Sequence, residues 1–243
     1  WRLFIETWIY RGINMTQQNL FVPEGFAVEG IASSDAYPFL LEIHYAKRLP
    51  SISYAYGLWI DGELCGVATY GTPAGSTQRT GVCGEEYSGI VLELNRLCLK
   101  YNRKNEASRL VSASMKLLPR PSIIISYADP AQGHVGYVYQ ATNFFYCGMT
   151  EKRTDWAIKG LEHLHAQTIA DRYRGHDKPS EAIRREHGDN FYMAERPRKH
   201  RYIMFLGNKK DKKKLASVLK YEKKPYPKKA RTLETEGKLE FST

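Results

Sequence analysis

The chain has 243 residues, of which 42% are hydrophobic and 12% aromatic, and this suits one large domain or one domain with a tail. Its formal net charge of +10 favours a polyanionic partner, nucleic acid before membrane. The alternative is a basic protein with no nucleic-acid role. No apolar run approaches the length of a membrane span, and the apolar N-terminus lacks the basic region and cleavage site of a signal peptide.

Four cysteines, at positions 65, 83, 98 and 147, have neither CxxC spacing nor histidines at zinc-finger spacing. We therefore expect free thiols in a reducing compartment. Residues 1–14 precede Met15 and are expected to be upstream or appended sequence. We expect a catalytic domain at 15–207, which includes a polar segment at about 160–200, and a basic helix with a mobile tail at 208–243.

The predicted elements of the first half are a helix, a hairpin and a loop. Ser34 and Asp35 are expected to cap a helix that runs through PFLLEIHYAKR and ends at Pro50. Strands at 54–60 and 63–70 follow, joined by Asp61-Gly62, which is a strong hairpin signal. Residues 71–89 are rich in Gly, Thr and Ser and are expected to form a long, functional loop.

The second half alternates strands and helices. We expect strands at 90–99, 122–127, 155–158 and 202–206, and helices at 105–118, within 129–148 and at 208–220. The segment 160–200 has no clear pattern. This order predicts an α/β fold with a mixed central sheet flanked by helices and a basic C-terminal extension.

Polar and basic residues surround the start of the helix at 105–118. A helix N-terminus offers unpaired N–H groups and the positive end of its dipole to an anion such as phosphate. The alternative is an ordinary capped helix with a solvated basic turn. The candidate cofactor-binding residues are Asn95, Arg96, Arg103, Asn105, Ser108 and Arg109.

The stretch DPAQGHVGYVYQATNFFYCG, at 129–148, follows the apolar strand SIIISYA. Asp129 at the strand end and Tyr139 on the next helix are candidates for base and acid, with Ser114 on the preceding helix. The alternative is that Asp129 caps the loop and Tyr139 belongs to the core. His44 and Tyr45 lie on the first helix, and together with Asp129 they are candidate metal ligands.

Basic residues interleaved with aromatic ones dominate the last third of the chain and favour nucleic-acid binding. The alternative is a solvated basic face. The candidates there are Arg196, Arg198, Lys199, Arg201, Lys209 and Lys210, and in the hairpin Tyr54 and Tyr56 are candidates to stack on a base.

Four segments, VLELNRLCL, NEASRLVSASMKLLP, SYADPAQGHVGYVYQATNFFYCG and ERPRKHRYIMFLG, resemble the Mom family of phage DNA-modification proteins, from about residue 21 to 227. The resemblance implies a GNAT-like acyltransferase that converts adenine in DNA to a carbamoylmethyl adenine and protects phage DNA from host restriction. It implies an active site at His44, Tyr45, Ser114, Asp129 and Tyr139, with iron proposed for the family. It also implies double-stranded DNA as substrate, a flipped adenine, and the cytoplasm of the infected bacterium as location.

GNAT chains tend to carry Tyr, three residues and Gly-Phe after the last central helix, and here Tyr139 is followed by QAT and Asn143-Phe144. The GNAT pyrophosphate loop is matched best by residues 103–108, but Glu106 stands where glycine is expected and would repel a pyrophosphate. The acyl donor is therefore left open between acetyl-CoA and glycyl-tRNA. The competing functions are a conventional GNAT N-acetyltransferase acting on a protein or small-molecule amine, and a non-catalytic DNA-binding protein.

Overall fold

A computed structural model describes residues 25–164 and 166–228, and its centre is a seven-stranded sheet in the order β1-β2-β3-β4-β5-β9-β6. Neighbouring strands are antiparallel, except that β4 and β5 are parallel. The strands of this sheet are β1 (Phe26–Gly30), β2 (Tyr54–Ile60), β3 (Glu63–Gly71), β4 (Val91–Leu99), β5 (Ser122–Ala128), β6 (Phe145–Met149) and β9 (His200–Leu206). The predicted mixed sheet is confirmed.

Helices cover both faces of the sheet. The helices are α1 (Ser33–Pro38), α2 (Ser76–Cys83), α3 (Glu106–Leu117), α4 (Tyr137–Ala141), α5 (Ala166–Arg172), α6 (Pro179–His187) and α7 (Lys209–Ser217), of which α5 and α6 belong to the small unit described below. On one face, Leu110 and Val111 of α3 pack with Tyr139 and Tyr202. On the other face, side chains of α2 and α7 pack with Ile203 and its neighbours in the sheet. Because successive side chains of a strand point to opposite faces of the sheet, Tyr202 and Ile203 of β9 lie in different cores.

Between β6 and β9 the chain forms a separate small unit. The strands β7 (Arg153–Ile158) and β8 (Phe191–Arg196) pair as a two-stranded antiparallel sheet, and helices α5 and α6 pack on them. Ile158, Ile169, Ile183 and Phe191 form its own apolar cluster. The segment 160–200, in which the sequence showed no clear pattern, is therefore largely structured, and its acidic residues nearly balance its basic ones.

Two predicted elements of the first half are wrong. The first helix ends early, as a π-helical turn over Phe39–Ile43, because Leu41, Ile43 and Tyr45 are exposed and have no core to pack on. The expected loop at 71–89 contains α2 and a 3-10 helix (Glu85–Ile90). Val82 and Cys83 at the end of α2 are buried in the core on the face of the sheet that α2 and α7 cover. Tertiary packing therefore outweighs the low helix propensity of STQRTGVC.

The C-terminal strap, defined here as residues 219–228, is held against the body of the protein. The N–H groups of Lys220 and Lys224 donate to the carbonyls of Val82 and Tyr146, each at 2.8 Å, and the Tyr226 hydroxyl donates to the carbonyl of Phe144 at 2.8 Å. The predicted mobile tail therefore does not include the strap. Residues 229–243, and the expected upstream segment 1–14, lie outside the described residues.

The described residues contain no helix long and apolar enough to cross a membrane. All four cysteines are buried and unpaired, which agrees with the prediction of free thiols.

Candidate active site

A cavity of about 840 Å³ opens where β4 and β5 stop pairing. The two strands are paired only from Val91 and Ile123 to Glu93 and Ile125, and beyond that point side chains from both strands line the cavity. Parallel strands that separate at their carboxyl ends leave a crevice for ligands. Five cationic side chains and three carboxylates line this cavity: Arg96, Arg153, Arg196, Lys199 and Arg201 with Glu93, Asp129 and Glu151.

Asp129 stands at the end of β5 with both carboxylate oxygens engaged. One oxygen accepts the N–H of Ala131 at 3.0 Å and so caps the short 3-10 turn Pro130–Gln132. The other lies 3.1 Å from the Lys199 ammonium, and the two side chains are 12% and 30% exposed. Asp129 thus both caps the turn and lines the cavity. Lys199 is its charge partner.

Tyr139, on α4, sits at the inner wall of the cavity. Its ring packs against Phe144 and Tyr202, with ring centroids 5.4 and 5.1 Å away. Burial raises the pKa of Tyr139 to about 12, and a hydrogen bond with Ser126 acts in the opposite direction. A phenol with this pKa is protonated at neutral pH, so it is able to donate a proton to a leaving group.

His44 and Tyr45 form part of the cavity wall, beyond the π-helical turn. Their rings stack at 4.4 Å, and the Tyr45 ring meets His134 edge-on at 6.5 Å. Burial lowers the pKa of His44 to about 4, helped by the nearby charges of Arg96 and His134. His44 is therefore neutral at pH 7, and its Nδ1 accepts the N–H of Ala46 at 3.1 Å. This hydrogen bond assigns the ring proton to Nε2.

The side chains present do not fit the expected iron site of His44, Tyr45 and Asp129. Nδ1 of His44 is already an acceptor and Nε2 carries the proton, so neither nitrogen offers a lone pair to a metal. Asp129 is bound to Lys199. In the part of the chain that the structure describes, no group of three or more His, Cys, Asp or Glu side chains is placed to hold a metal ion.

The N-terminus of α3, the expected phosphate site, carries the side chain of Glu106. The Glu106 carboxylate accepts the backbone N–H of Arg103 at 2.7 Å, and its side chain is only 6% exposed. The Arg103 guanidinium lies 3.9 Å from the same carboxylate and over the Tyr101 ring. Arg103 precedes the N-cap residue Asn105, so this N–H is not one of the helix's own. A buried carboxylate at the start of α3 would repel a pyrophosphate there.

Other predicted cofactor residues divide between the cavity and the surface of α3. Asn95 and Arg96 line the cavity, whereas Arg103, Asn105, Ser108 and Arg109 do not. The Asn95 amide is committed to the carbonyl of Ser51 at 2.8 Å and to the Thr69 hydroxyl at 2.7 Å. The Ser108 hydroxyl donates to the carbonyl of Asn105. These contacts belong to local structure and leave Arg96 as the member of the set with a charged group at the cavity.

Ser114 does not line the cavity and is fully buried beside Val111 and Tyr70, in the core that α3 covers. Its hydroxyl is 2.7 Å from the Tyr70 hydroxyl and donates to the carbonyl of Val111 at 3.1 Å. Unlike Asp129 and Tyr139, with which it was predicted to act, Ser114 does not line the cavity. Its contacts are those of a satisfied core residue.

The predicted nucleic-acid residues also divide. Arg196, Lys199 and Arg201 line the cavity, while Lys209 and Lys210 are exposed on the first turn of α7 and Arg198 holds the carbonyl of Thr150 at 2.6 Å. Tyr54 is 36% exposed, but Tyr56 is buried in the core against Tyr70. The prediction that Tyr56 stacks on a base is therefore wrong, because its ring is covered on the apolar side of the hairpin.

Sequence reasoning missed several residues that the fold brings to the cavity. Glu93, on β4, is largely buried there, and burial raises its pKa while Arg96, Lys199 and Arg196 oppose the shift. Gln78, Tyr127, His134 and Tyr221 also line the cavity. Glu93 lies on the same face of β4 as Asn95, and this spacing of two residues could have predicted its place at the cavity. The sequence held no such signal for Tyr221, which lies on the strap beyond α7.

The sheet, with helices on both faces and a crevice between two parting parallel strands, is a mixed α/β fold that has GNAT acetyltransferases among its structural neighbours. A Bacillus subtilis acetyltransferase in complex with CoA aligns with 74% of this chain and 99% of its own, at 16% identity and a TM-score of 0.40. A GNAT family acetyltransferase from Elizabethkingia anophelis with acetyl-CoA bound aligns over 76% and 100%, at 13% identity and a TM-score of 0.39. Likenesses this distant say nothing about the ligands of this chain.

Residues 25–228 match the Mom protein family, and the chain belongs to that family. The protein named Methylcarbamoylase mom, from Escherichia phage Mu, is 30% identical over 207 residues, which is 83% of each chain. The predicted membership of the Mom family is confirmed.

Proposed function

We propose that this chain is a DNA-modifying transferase that converts adenine in DNA to N6-carbamoylmethyl adenine, in the cytoplasm of a phage-infected bacterium, and so protects phage DNA from restriction. The observation that carries the proposal is the convergence of Asp129, Tyr139, His44 and Tyr45 on one basic-lined cavity, in a chain of the Mom family. The substrate is double-stranded DNA, and the adenine leaves the duplex because its amine is paired there.

The donor that we propose is glycyl-tRNA rather than acetyl-CoA. Glu106 places a buried carboxylate at the start of α3, where it would repel a pyrophosphate. The basic lining of the cavity suits a nucleic-acid donor as well as a nucleic-acid acceptor. Simple acetyl transfer would also leave an amide on the adenine nitrogen, whereas the product carries a CH₂ there.

The proposed reaction needs neither an oxidant nor a reductant. The adenine amine attacks the glycyl ester carbonyl, so that an N–C bond forms, the ester C–O bond breaks and the leaving oxygen gains a proton. The glycyl amine then attacks the ring carbon that bears the amide and closes a five-membered ring. When the bond from that carbon to the original nitrogen breaks, CH₂-carboxamide remains on the glycine nitrogen, and the carboxamide keeps the original adenine nitrogen.

The roles of the side chains follow from their positions. Asp129, held by Lys199, accepts or orients a proton of the attacking amine. Tyr139 protonates the leaving oxygen. His44, neutral and protonated at Nε2, is a donor for the carbonyl oxygen as its charge grows. Ser114 supports the site only through its bond to Tyr70.

The proposal is tested by incubating the purified full-length chain with adenine-containing DNA and either glycyl-tRNA or acetyl-CoA, then digesting the DNA to nucleosides for mass spectrometry. We expect a modified adenosine with glycyl-tRNA alone, and nitrogen-labelled glycine should leave its label in the base. A product without the label overturns the glycyl route. Acetyl transfer from acetyl-CoA to another amine, with adenine unchanged, would instead favour a conventional GNAT acetyltransferase.

The sharpest variant is Asp129→Asn, which keeps an oxygen to cap Ala131 but loses the charge that faces Lys199. We expect product formation to fall by about 100-fold or more, the scale of a lost general base, while DNA binding survives. Lys116→Gln, an exposed change on α3, is the control. Unchanged turnover in Asp129→Asn would remove this carboxylate from the mechanism.

A further inference from the structure

We propose that Arg201, stacked on Tyr221, binds a phosphodiester of the DNA strand that carries the target adenine. The identity of the strand rests on the proposed function, whereas the site itself rests on the geometry of the cavity. Arg201 lies on β9 and lines the cavity together with Tyr221 of the strap. Arg201 is among the residues that the sequence predicts to bind nucleic acid, but the proposed reaction steps give no role to Arg201 or to Tyr221.

The Arg201 side chain is buried with one guanidinium nitrogen unsatisfied. The residue is 8% exposed, and its Nε atom has no acceptor among the residues that the structure describes. Among the described residues, no carboxylate lies within ion-pairing distance of its guanidinium. Burying a charge without a partner is costly, so a group that persists in this state at a cavity wall indicates a missing anionic ligand.

Tyr221 fixes the orientation of that guanidinium. The Arg201 guanidinium carbon lies 3.9 Å from the centre of the Tyr221 ring, which is a close cation–π stack. A ring on one face leaves the N–H groups at the edge of the guanidinium directed sideways. These form the planar fork that suits two oxygens of a phosphate. The strap holds Tyr221 in place through its bonds at Lys220 and Lys224.

The charges and polar groups around Arg201 leave room for an anion. Asp129, a nearby carboxylate of the cavity, is bound to Lys199, and the pKa of Glu93 is raised by burial, which weakens it as a counter-ion. Next to Arg201, the Tyr127 hydroxyl and the Gln78 amide lie 3.4 Å apart, and both line the cavity. A phosphate at Arg201 would meet hydrogen-bond donors here rather than a competing carboxylate.

The surface beyond Arg201 favours a polyanion over a small anion. The alternation of β9 puts Arg201 on the opposite side from buried Tyr202, with Ile203 and Phe205, on the face that α2 and α7 cover. Lys220, Lys223 and Lys224 lie on the strap that brings Tyr221 to the cavity. A strand that enters the cavity past these lysines would reach Arg201.

The test is the binding of a short fluorescent single-stranded oligonucleotide with one adenine to the full-length chain, measured by anisotropy over a range of salt concentrations. The variants are Arg201→Met, which keeps the volume but not the charge, and Arg201→Lys, which keeps the charge but not the fork. Lys116→Gln removes an equal charge from the exposed end of α3 and is the matched control. Thermal unfolding of each variant is recorded without DNA.

We expect Arg201→Met to bind about tenfold or more weakly, as for a lost charged hydrogen bond, with a salt slope lower by about 0.7, one single-strand phosphate contact. Arg201→Lys should keep the slope and lose part of the affinity. Arg201→Met should also unfold at the same or a higher temperature than the unchanged chain, because it removes an unpaired buried charge.

Two outcomes would overturn the inference. The first is Arg201→Met with the affinity and salt slope of the unchanged chain. The second is a marked loss of thermal stability in Arg201→Met. Because the binding assay needs no turnover, it separates a failure of this inference from a failure of the proposed function. Arg201-dependent binding without adenine modification would contradict the proposed function but not this inference.

Discussion

Tyr139 keeps its proton at neutral pH because burial raises its pKa to about 12, so its proposed part in the reaction is that of an acid. Tyr139→Phe removes the hydroxyl and leaves the ring that packs on Phe144 and Tyr202. We expect the rate of adenine modification to fall by about 100-fold or more with unchanged DNA binding, and the thermal midpoint to fall slightly because the hydrogen bond with Ser126 is lost. Full activity in this variant would end the acid role.

His44 should make the protein sensitive to acid. Its pKa is about 4 in the folded protein, against 6.5 ordinarily, so between these values the unfolded chain binds more protons than the folded one. Neutral His44 therefore gives the folded protein a stabilisation that is complete above pH 6.5 and is lost as the pH falls towards 4. In His44→Gln we expect a smaller drop in thermal midpoint between about pH 7.5 and about pH 5. Equal drops in both proteins would contradict the assignment.

Ser114 offers a way to separate support of the fold from chemistry. Ser114→Ala leaves the buried Tyr70 hydroxyl without its partner, so the free energy of unfolding should fall by about 1–3 kcal/mol. Activity per folded molecule should stay the same, since Ser114 does not reach the cavity. Ser112→Ala, exposed on the same helix, is the control. A large loss of turnover in stably folded Ser114→Ala would return this residue to the active site.

The individual site residues were predictable to the extent that their chemistry was local. Asp129 follows a strand and Tyr139 follows the next turn, so the sequence alone placed both at one end of the sheet. Ser114 was misplaced because its helix presents it to Tyr70 rather than to the cavity. Glu106 stood out in the sequence as a departure from glycine, but only the structure shows that it takes the N–H of Arg103.

Among the elements, the strap is the feature with the clearest energetic consequence. Tyr226→Phe removes one hydrogen bond to the carbonyl of Phe144, and we expect the free energy of unfolding to fall by about 1 kcal/mol in denaturant titration. Tyr192→Phe, at a tyrosine that is 42% exposed on β8, should change it little. Equal effects in the two variants would mean that the strap adds nothing to stability.

Sequence patterns located the elements whose signals are local. The Asp61-Gly62 turn, with φ values of +50° and +81°, joins β2 and β3 as predicted. The strands β4, β5 and β9 and the helices α3 and α7 appear within a few residues of their predicted limits. The helix α2 was missed because contacts distant in sequence stabilise it. Val82 is packed in the core that α2 and α7 cover, and its carbonyl accepts the N–H of Lys220 from the strap.

On the scale of the whole molecule, the positive charge is not spread evenly. The segment 160–200 contains nearly as many acidic as basic residues, whereas the chain from β9 onwards is rich in lysine. The strap brings Lys220 next to Tyr221 at the cavity, whereas α7 begins beyond Leu206, at the end of β9 away from the cavity. The sequence indicated a nucleic-acid partner from its net charge and from basic residues interleaved with aromatic ones, but the position of the strap at the cavity depends on where the chain folds back.

The most direct test of the account is made in bacteria that express the chain. Their DNA is digested to nucleosides and measured by mass spectrometry, beside DNA from cells that express Asp129→Asn at the same level. We predict an adenosine heavier by the mass of one glycine residue with the unchanged chain, and ordinary adenosine alone with the variant. Unmodified adenosine from cells that contain the folded, unchanged chain would contradict the proposed function.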